Sequence, residues 1–154
     1  MKTTILFALL IASVTMYGQS DFSGKWKLNL DKTQFNETPG TPAAAKLVVE
    51  QKAGTITVQR NDRAKETLKI DSTASIDITD GDNKTTVSMK LAADKKGLVE
   101  ARVYTYPEGE TAVVATKKTR TWTLSEDKKI LTITDHIEAS NGGNYVMVLV
   151  YERE

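Results

Sequence analysis

The stretch Thr121-Trp122-Thr123-Leu124-Ser125-Glu126-Asp127-Lys128-Lys129-Ile130-Leu131-Thr132-Ile133-Thr134-Asp135 holds two alternating runs around a polar turn. Successive side chains of an extended chain point to opposite faces, so Trp122 and Leu124 share one face, and Leu131 and Ile133 share one face of the next run. A two-residue turn within 126–129 sets Leu124 opposite Leu131 and Trp122 opposite Ile133. Apolar meets apolar across this register, which is the condition for a hairpin with one buried and one wetted side.

The same pattern extends in both directions. In Asp21-Phe22-Ser23-Gly24-Lys25-Trp26-Lys27-Leu28-Asn29-Leu30, the residues Trp26, Leu28 and Leu30 share a face and predict a first strand over 26–30. Residues 31–44, with Pro39-Gly40 and Pro42, read as an irregular excursion across the surface or one mouth of the fold. Ala53-Gly54 closes a hairpin with Val49 opposite Val58. Leu68 and Ile70 mark a further strand, and Asp80-Gly81-Asp82-Asn83 lets Ile76 and Ile78 face Met89 and Val87. Asp94-Lys95-Lys96-Gly97 turns Leu91 back against Val99. Pro107-Glu108-Gly109-Glu110 turns Val103 back against Val114, which leaves Tyr104 and Tyr106 facing outward. Asn141-Gly142 at a turn centre sets Ile137 opposite Val146 and Ile133 opposite Val150. About nine or ten strands result, with no amphipathic helix of ordinary length. Consecutive hairpins with short turns predict an all-β chain, closed as a single antiparallel up-and-down β-barrel of about eight to ten strands.

The chain has 154 residues, enough for one domain with a real core. Its 21 Lys and Arg nearly cancel its 20 Asp and Glu, so no basic excess points to nucleic acid. It contains no cysteine, which excludes disulfides, thiolate metal sites, thiol nucleophiles and the acylated cysteine of a lipoprotein. Lys2, an apolar run from Ile5 to Val14, and the small residues Gly18 and Ser20 predict a secretory signal peptide over 1–20, cleaved after Gly18 or Ser20. The run is too short for a membrane span. The mature domain, 21–154, is then expected in the periplasm or outside the cell, with no integral span.

Phe22-Ser23-Gly24-Lys25-Trp26-Lys27-Leu28-Asn29, Thr121-Trp122-Thr123-Leu124-Ser125-Glu126-Asp127, Leu131-Thr132-Ile133-Thr134 and the closing Tyr151-Glu152-Arg153 together resemble the small exported lipocalin-like (calycin-type) barrels of bacteria. Gly24-x-Trp26 is similar to the first lipocalin signature. The resemblance implies that Trp26 closes the narrow end of the barrel and that an arginine from a late strand packs on it, Arg153 first and Arg120 second. Thr134-Asp135-His136 is only a loose echo of the second signature, and the usual C-terminal helix has no counterpart.

The parity that turns Trp122, Leu124, Leu131 and Ile133 inward also turns Arg120 and Asp135 inward, directly opposite each other. A buried ion pair is a poor stabiliser, because desolvation offsets most of the attraction. Such a pair in an apolar cavity is a candidate ligand anchor, with Arg120 suited to a carboxylate or phosphate; the competing reading is a wet pair at the barrel mouth. Trp122 and Trp26 are candidate pocket walls, or packed core. His136, the only histidine, has no metal-ligand partners at a defined spacing and no paired nucleophile. No metal, cofactor or catalytic set is read. Tyr145, Met147, Leu149 and Tyr151 alternate with Val146, Val148 and Val150, so both faces of the last strand are apolar. The outer one calls for cover by the 31–44 excursion or by a second copy of the chain in a homodimer.

These readings predict a non-catalytic exported barrel that binds a small hydrophobic or amphipathic ligand inside. The alternative is a protein-binding module, such as a protease-inhibitor-like or envelope interaction barrel with a filled core.

Overall fold

In the computed structural model the alternating runs form ten strands: β1 (Gly24–Leu28), β2 (Lys46–Lys52), β3 (Thr55–Arg60), β4 (Glu66–Lys69), β5 (Ile76–Asp80), β6 (Asn83–Leu91), β7 (Leu98–Glu108), β8 (Thr111–Leu124), β9 (Ile130–Ala139) and β10 (Asn144–Arg153). The structure describes residues 20–36, 38, 43–71, 75–108 and 111–154, without the side chains of 107–108 and 111–115. Residues 1–19 of the expected leader over 1–20, the prolines of the excursion and the Gly109-Glu110 half of one turn lie outside the described residues. Among the described residues every strand pairing is antiparallel and none of the backbone is helical.

All ten strands belong to one sheet in the order β4-β3-β2-β1-β10-β9-β8-β7-β6-β5. This is an up-and-down meander that rolls up because β1 pairs with β10, Trp26 facing Arg153 and Leu28 facing Tyr151. The sheet closes at a seam where the end of β4 meets β6, past the short edge strand β5. There Ile70 makes a lone parallel bridge to Met89, and the Leu91 N–H donates to Asp71 Oδ1 at 2.6 Å. The result is a nearly closed barrel. Closure of this kind hides most of the backbone edges that an open sheet would expose.

The interior has two halves. At one end Phe22, Trp26, Leu98, Trp122 and Leu131 are fully buried and pack solid, the Phe22 and Trp122 rings meeting edge to face at 6.3 Å. Toward the other end the inward rungs become polar. One rung crosses Met89, Glu100, Arg120, Asp135 and Met147, and the next crosses Val87, Arg102, Lys118, Ile137 and Tyr145. The apolar rungs supply the hydrophobic stabilisation, and the polar ones have to be satisfied internally.

The β8–β9 hairpin has the register expected from its sequence, Trp122 with Ile133 and Arg120 with Asp135. So does β2–β3, with Val49 opposite Val58. Elsewhere turn geometry overrules the apolar-on-apolar criterion. At β9–β10 the Gly142 N–H donates to Ala139 O at 2.9 Å, and the Ala139 N–H to Gly143 O at 2.8 Å. Gly142, at φ 82°, takes the left-handed position of a three-residue loop, and this extra residue moves the pairing by one. Ile137 therefore faces Tyr145 and Ile133 faces Leu149, not Val146 and Val150. The buried face of β10 is Met147, Leu149 and Tyr151, while Val146 is 39% exposed.

A similar slip reverses β7. The Ala92 N–H donates to Gly97 O and the Lys95 N–H to Ala92 O, each at 2.9 Å, so Leu91 faces Leu98 instead of Val99. Leu98, Glu100, Arg102 and Tyr104 consequently share one face, directed into the barrel, and Val99 and Val103 share the other. Val103 pairs with Lys117 rather than Val114, and the register shifts again between Tyr104 and Thr105. Tyr104 thus lines the interior, against its expected outward direction, whereas Tyr106 is 41% exposed. A tight two-residue turn at Gly81-Asp82 pairs Ile76 with Val87 and Ile78 with Thr85, two residues from the expected partners but on the expected face. The first strand ends at Leu28, and Leu30 is 66% exposed.

The residues after β1 lie beside β10, not over its outer face. Gln34 exchanges backbone hydrogen bonds with Val148 at 2.8 and 2.9 Å, and Asn36 Nδ2 donates to Val146 O at 3.0 Å. They extend the sheet edge in its own plane.

Candidate functional site

Two clusters contain the residues singled out in the sequence, and they lie at opposite ends of the barrel. At the packed end, the Arg153 guanidinium sits over the Trp26 ring, its Cζ 4.4 Å from the centroid. Arg153 Nη1 donates to Ser23 O and Nε to Lys128 O, both at 2.9 Å, so the arginine fastens the entry of β1 to the β8–β9 turn. Gly24 is required beneath it: a Cβ there would lie 2.7 Å from Arg153 Nη1, on a backbone at φ 153°. The Trp26 indole N–H donates to Phe22 O at 3.1 Å. This constellation is a plug. Trp26 is fully buried and does not line the cavity at the other end.

The other cluster lines a cavity of about 340 Å³ at the open end, near the lower limit of the about 300–1,000 Å³ typical of small-molecule pockets. Ile78, Ile133, Met147 and Leu149 form an apolar wall, and Arg102, Tyr104, Lys118, Arg120 and Asp135 a polar one. Arg60, Asn61 and Glu66, around the β3–β4 turn, complete the rim.

Glu100 is the hub of the charges. It is fully buried, and it accepts from Arg60 Nη2 at 2.9 and 3.0 Å, from Arg102 Nε, and from the Trp122 indole N–H at 3.1 Å. Arg120 Nη1 approaches it to 3.8 Å. Burial pushes its carboxyl up, but the Arg60, Arg102 and Arg120 guanidiniums override that and hold it down at about 2. Glu66 takes the remaining donors of Arg60, at 2.6 Å, and of Arg102.

Arg120 and Asp135 face each other inside the barrel, with Arg120 Nε 3.0 and 3.1 Å from the two carboxylate oxygens. Only the 3.1 Å contact has hydrogen-bond geometry, so Asp135 Oδ1 is a buried acceptor with no aligned partner among the described residues. Burial pushes the Asp135 carboxyl up, against the pull of Arg120. The guanidinium proposed as a ligand anchor is therefore already occupied by Asp135 and Glu100.

Lys118 differs. Its residue is 7% exposed, it lines the cavity, and its Nζ lies 5.4 Å from the centroid of the Tyr104 ring. Among the described residues no carboxylate comes within 4 Å of it. Burial, with Arg120 nearby, lowers its ammonium from the ordinary lysine value. Across the cavity the Tyr151 hydroxyl donates to Ala44 O at 3.0 Å, and burial pushes that phenol up to about 12.

Of the residues expected from the sequence, the fold brings Arg120 and Asp135 together on the cavity wall. Trp122 lies in the packed core beneath them, off the cavity lining and tied to the charges by its bond to Glu100, and Gly24, Trp26 and Arg153 lie at the far end. Sequence reasoning missed Glu100, Arg102, Lys118, Arg60 and Glu66. The signal for the first two was present: Glu100 and Arg102 alternate in step with Leu98, and the 92–97 turn, once assigned, sets Glu100 opposite the inward Met89. His136 is exposed on the outer face. Compared with protein-family models, with curated proteins and with solved structures, the chain matches none of them.

Proposed function

We propose that this chain is an exported lipocalin-like barrel that binds one small amphipathic molecule inside, without catalysis. The observation that carries the reading is the cavity of about 340 Å³, which sets an apolar wall against a polar one within the same barrel. Burying the ligand's apolar part against Ile78, Ile133, Met147 and Leu149 supplies affinity, and the polar wall orients its head. The leader of the sequence supports export, and Arg153 over Trp26 behind Gly24 supports the lipocalin-like kinship.

The rival reading, a protease-inhibitor-like barrel, needs a projecting segment ahead of β1. In this chain that segment is tied down: Phe22 is fully buried, its N–H donates to Gln51 Oε1 at 3.0 Å, and Gln51 Nε2 donates to Ser20 O at 3.1 Å.

Native mass spectrometry of the mature chain purified from its own host, followed by solvent extraction, tests the proposal. A bound small molecule, displaced by added amphiphiles, is the expected result. A clean apo mass that no amphiphile shifts would overturn it and turn attention to protein partners.

A further inference from the structure

Taking the carrier reading as its basis, we infer that the ligand bears a single negative charge, a carboxylate, and that Lys118 is the residue that holds it.

Four cationic side chains, Arg60, Arg102, Lys118 and Arg120, and three carboxylates, Glu66, Glu100 and Asp135, face one another inside, while the exposed rim adds one charge of each sign, Arg63 and Asp80, which leaves the excess of one cation unchanged. Each guanidinium has two ion-pair contacts to those carboxylates: Arg60 and Arg102 with Glu66 and Glu100, and Arg120 with Glu100 and Asp135. The carboxylates are thereby committed. Lys118 is left over, 7% exposed and on the cavity wall.

A buried ammonium without a counter-ion is costly, and the Tyr104 ring face offsets only part of that cost. Asp135 acts on Lys118 at a distance, but it is engaged with Arg120. A ligand carboxylate in the cavity supplies the missing charge and brings the set to neutrality. An excess of one cation suits a monoanion better than a phosphate dianion. Lysine also suits the task chemically: its ammonium is a point charge with three rotatable donors, which accepts a carboxylate entering from several angles.

Size narrows the class further. At about 30 Å³ per water, the cavity of about 340 Å³ holds on the order of ten waters, hence a ligand of on the order of ten heavy atoms. A medium-chain aliphatic or compact cyclic monocarboxylate fits, its hydrocarbon part on Ile133, Met147 and Leu149.

Calorimetric titration with octanoate, 1-octanol and octyl phosphate tests this on the mature chain and on Lys118→Met, which keeps the length of the side chain and removes its charge. The expected result is that the wild type binds octanoate at least tenfold tighter than 1-octanol and tighter than octyl phosphate. Lys118→Met should lose that tenfold preference while binding 1-octanol within about threefold of wild type. Equal affinity of the wild type for octanoate and 1-octanol, or an unchanged preference in Lys118→Met, would overturn the assignment of Lys118 and leave the cavity reading standing. Preference for octyl phosphate would overturn the carboxylate. Binding of none of the three would sink the cavity reading itself. Should Lys118→Met fail to fold, the wild-type preference among the three probes decides.

Discussion

The Trp122 indole N–H donates to Glu100 Oε2 at 3.1 Å, so the apolar floor of the barrel is hydrogen-bonded to the charge cluster above it. Trp122 could not be fully buried there without an acceptor for that N–H, and Glu100 could not be fully buried without several donors. Each makes the other's position tolerable.

Glu100→Gln should therefore be the most damaging conservative change in the interior. The amide still accepts from Trp122, but three guanidiniums lose their shared counter-charge, a loss of about 3–5 kcal/mol for a broken buried network. Asp135→Asn should cost clearly less, because Asp135 serves only Arg120 and burial already disfavours its charged form. Urea unfolding of the two variants gives the order; equal losses would contradict the hub role of Glu100.

Acid should destabilise the fold over a defined window. The carboxyl of Glu100 is held at about 2 in the barrel and returns to its ordinary 4.5 on unfolding. Its contribution is complete above pH 4.5 and is lost as pH falls toward about 2, on the order of 3 kcal/mol in total. Asp135 acts in the opposite sense, since its raised value favours the fold at low pH. Denaturant midpoints in this range should fall with pH in the wild type and should flatten in Glu100→Gln.

Binding of a carboxylate should have the reverse dependence at high pH. The ammonium of Lys118 faces Arg102, Arg120, Asp135 and the Tyr104 ring, and burial lowers it from 10.5. Octanoate affinity should accordingly drop as pH rises through a range that begins below 10.5, while 1-octanol affinity stays level. Titrations at stepped pH read this directly.

Gly24 and Arg153 should behave as one unit. Arg153→Ala removes the stacking on Trp26 and two hydrogen bonds to carbonyls, a loss of about 1–3 kcal/mol. Gly24→Ala drives a methyl to 2.7 Å from Arg153 Nη1 and strains the backbone, so it should also destabilise. In the double variant the clash is gone, and the two losses should sum to less than their separate values. A thermal or urea double-mutant cycle with no coupling would refute the shared role.

The all-β meander was legible because most of its buried faces alternate and its turns carry Gly, Asn and Asp. The hairpin around residues 126–129 was read in register, and with it the meeting of Arg120 and Asp135. What was not legible follows from a single criterion. Matching apolar with apolar assumes an oily interior, and it chose Val99 and Val103 over Glu100 and Arg102. In β7 the chain does the reverse, because the 92–97 turn sets the parity and the interior there is ionic. Asn141-Gly142 misled for a related reason: the dipeptide marks a turn, but the left-handed Gly142 closes a three-residue loop, and one residue exchanges the faces of β10.

The seam between β4 and β6 connects this electrostatics to mechanics. Glu66 projects from β4, one lip of the seam, and grips Arg60 on its neighbour β3 and Arg102 on β7. Backbone contributes one isolated bridge to that closure, Ile70 with Met89. The carboxylate that helps balance the interior charge is thus also a clasp on the ring, and Arg102 draws on Glu66 and Glu100 together. Losing either carboxylate would therefore loosen the ring as well as unbalance the charge inside it.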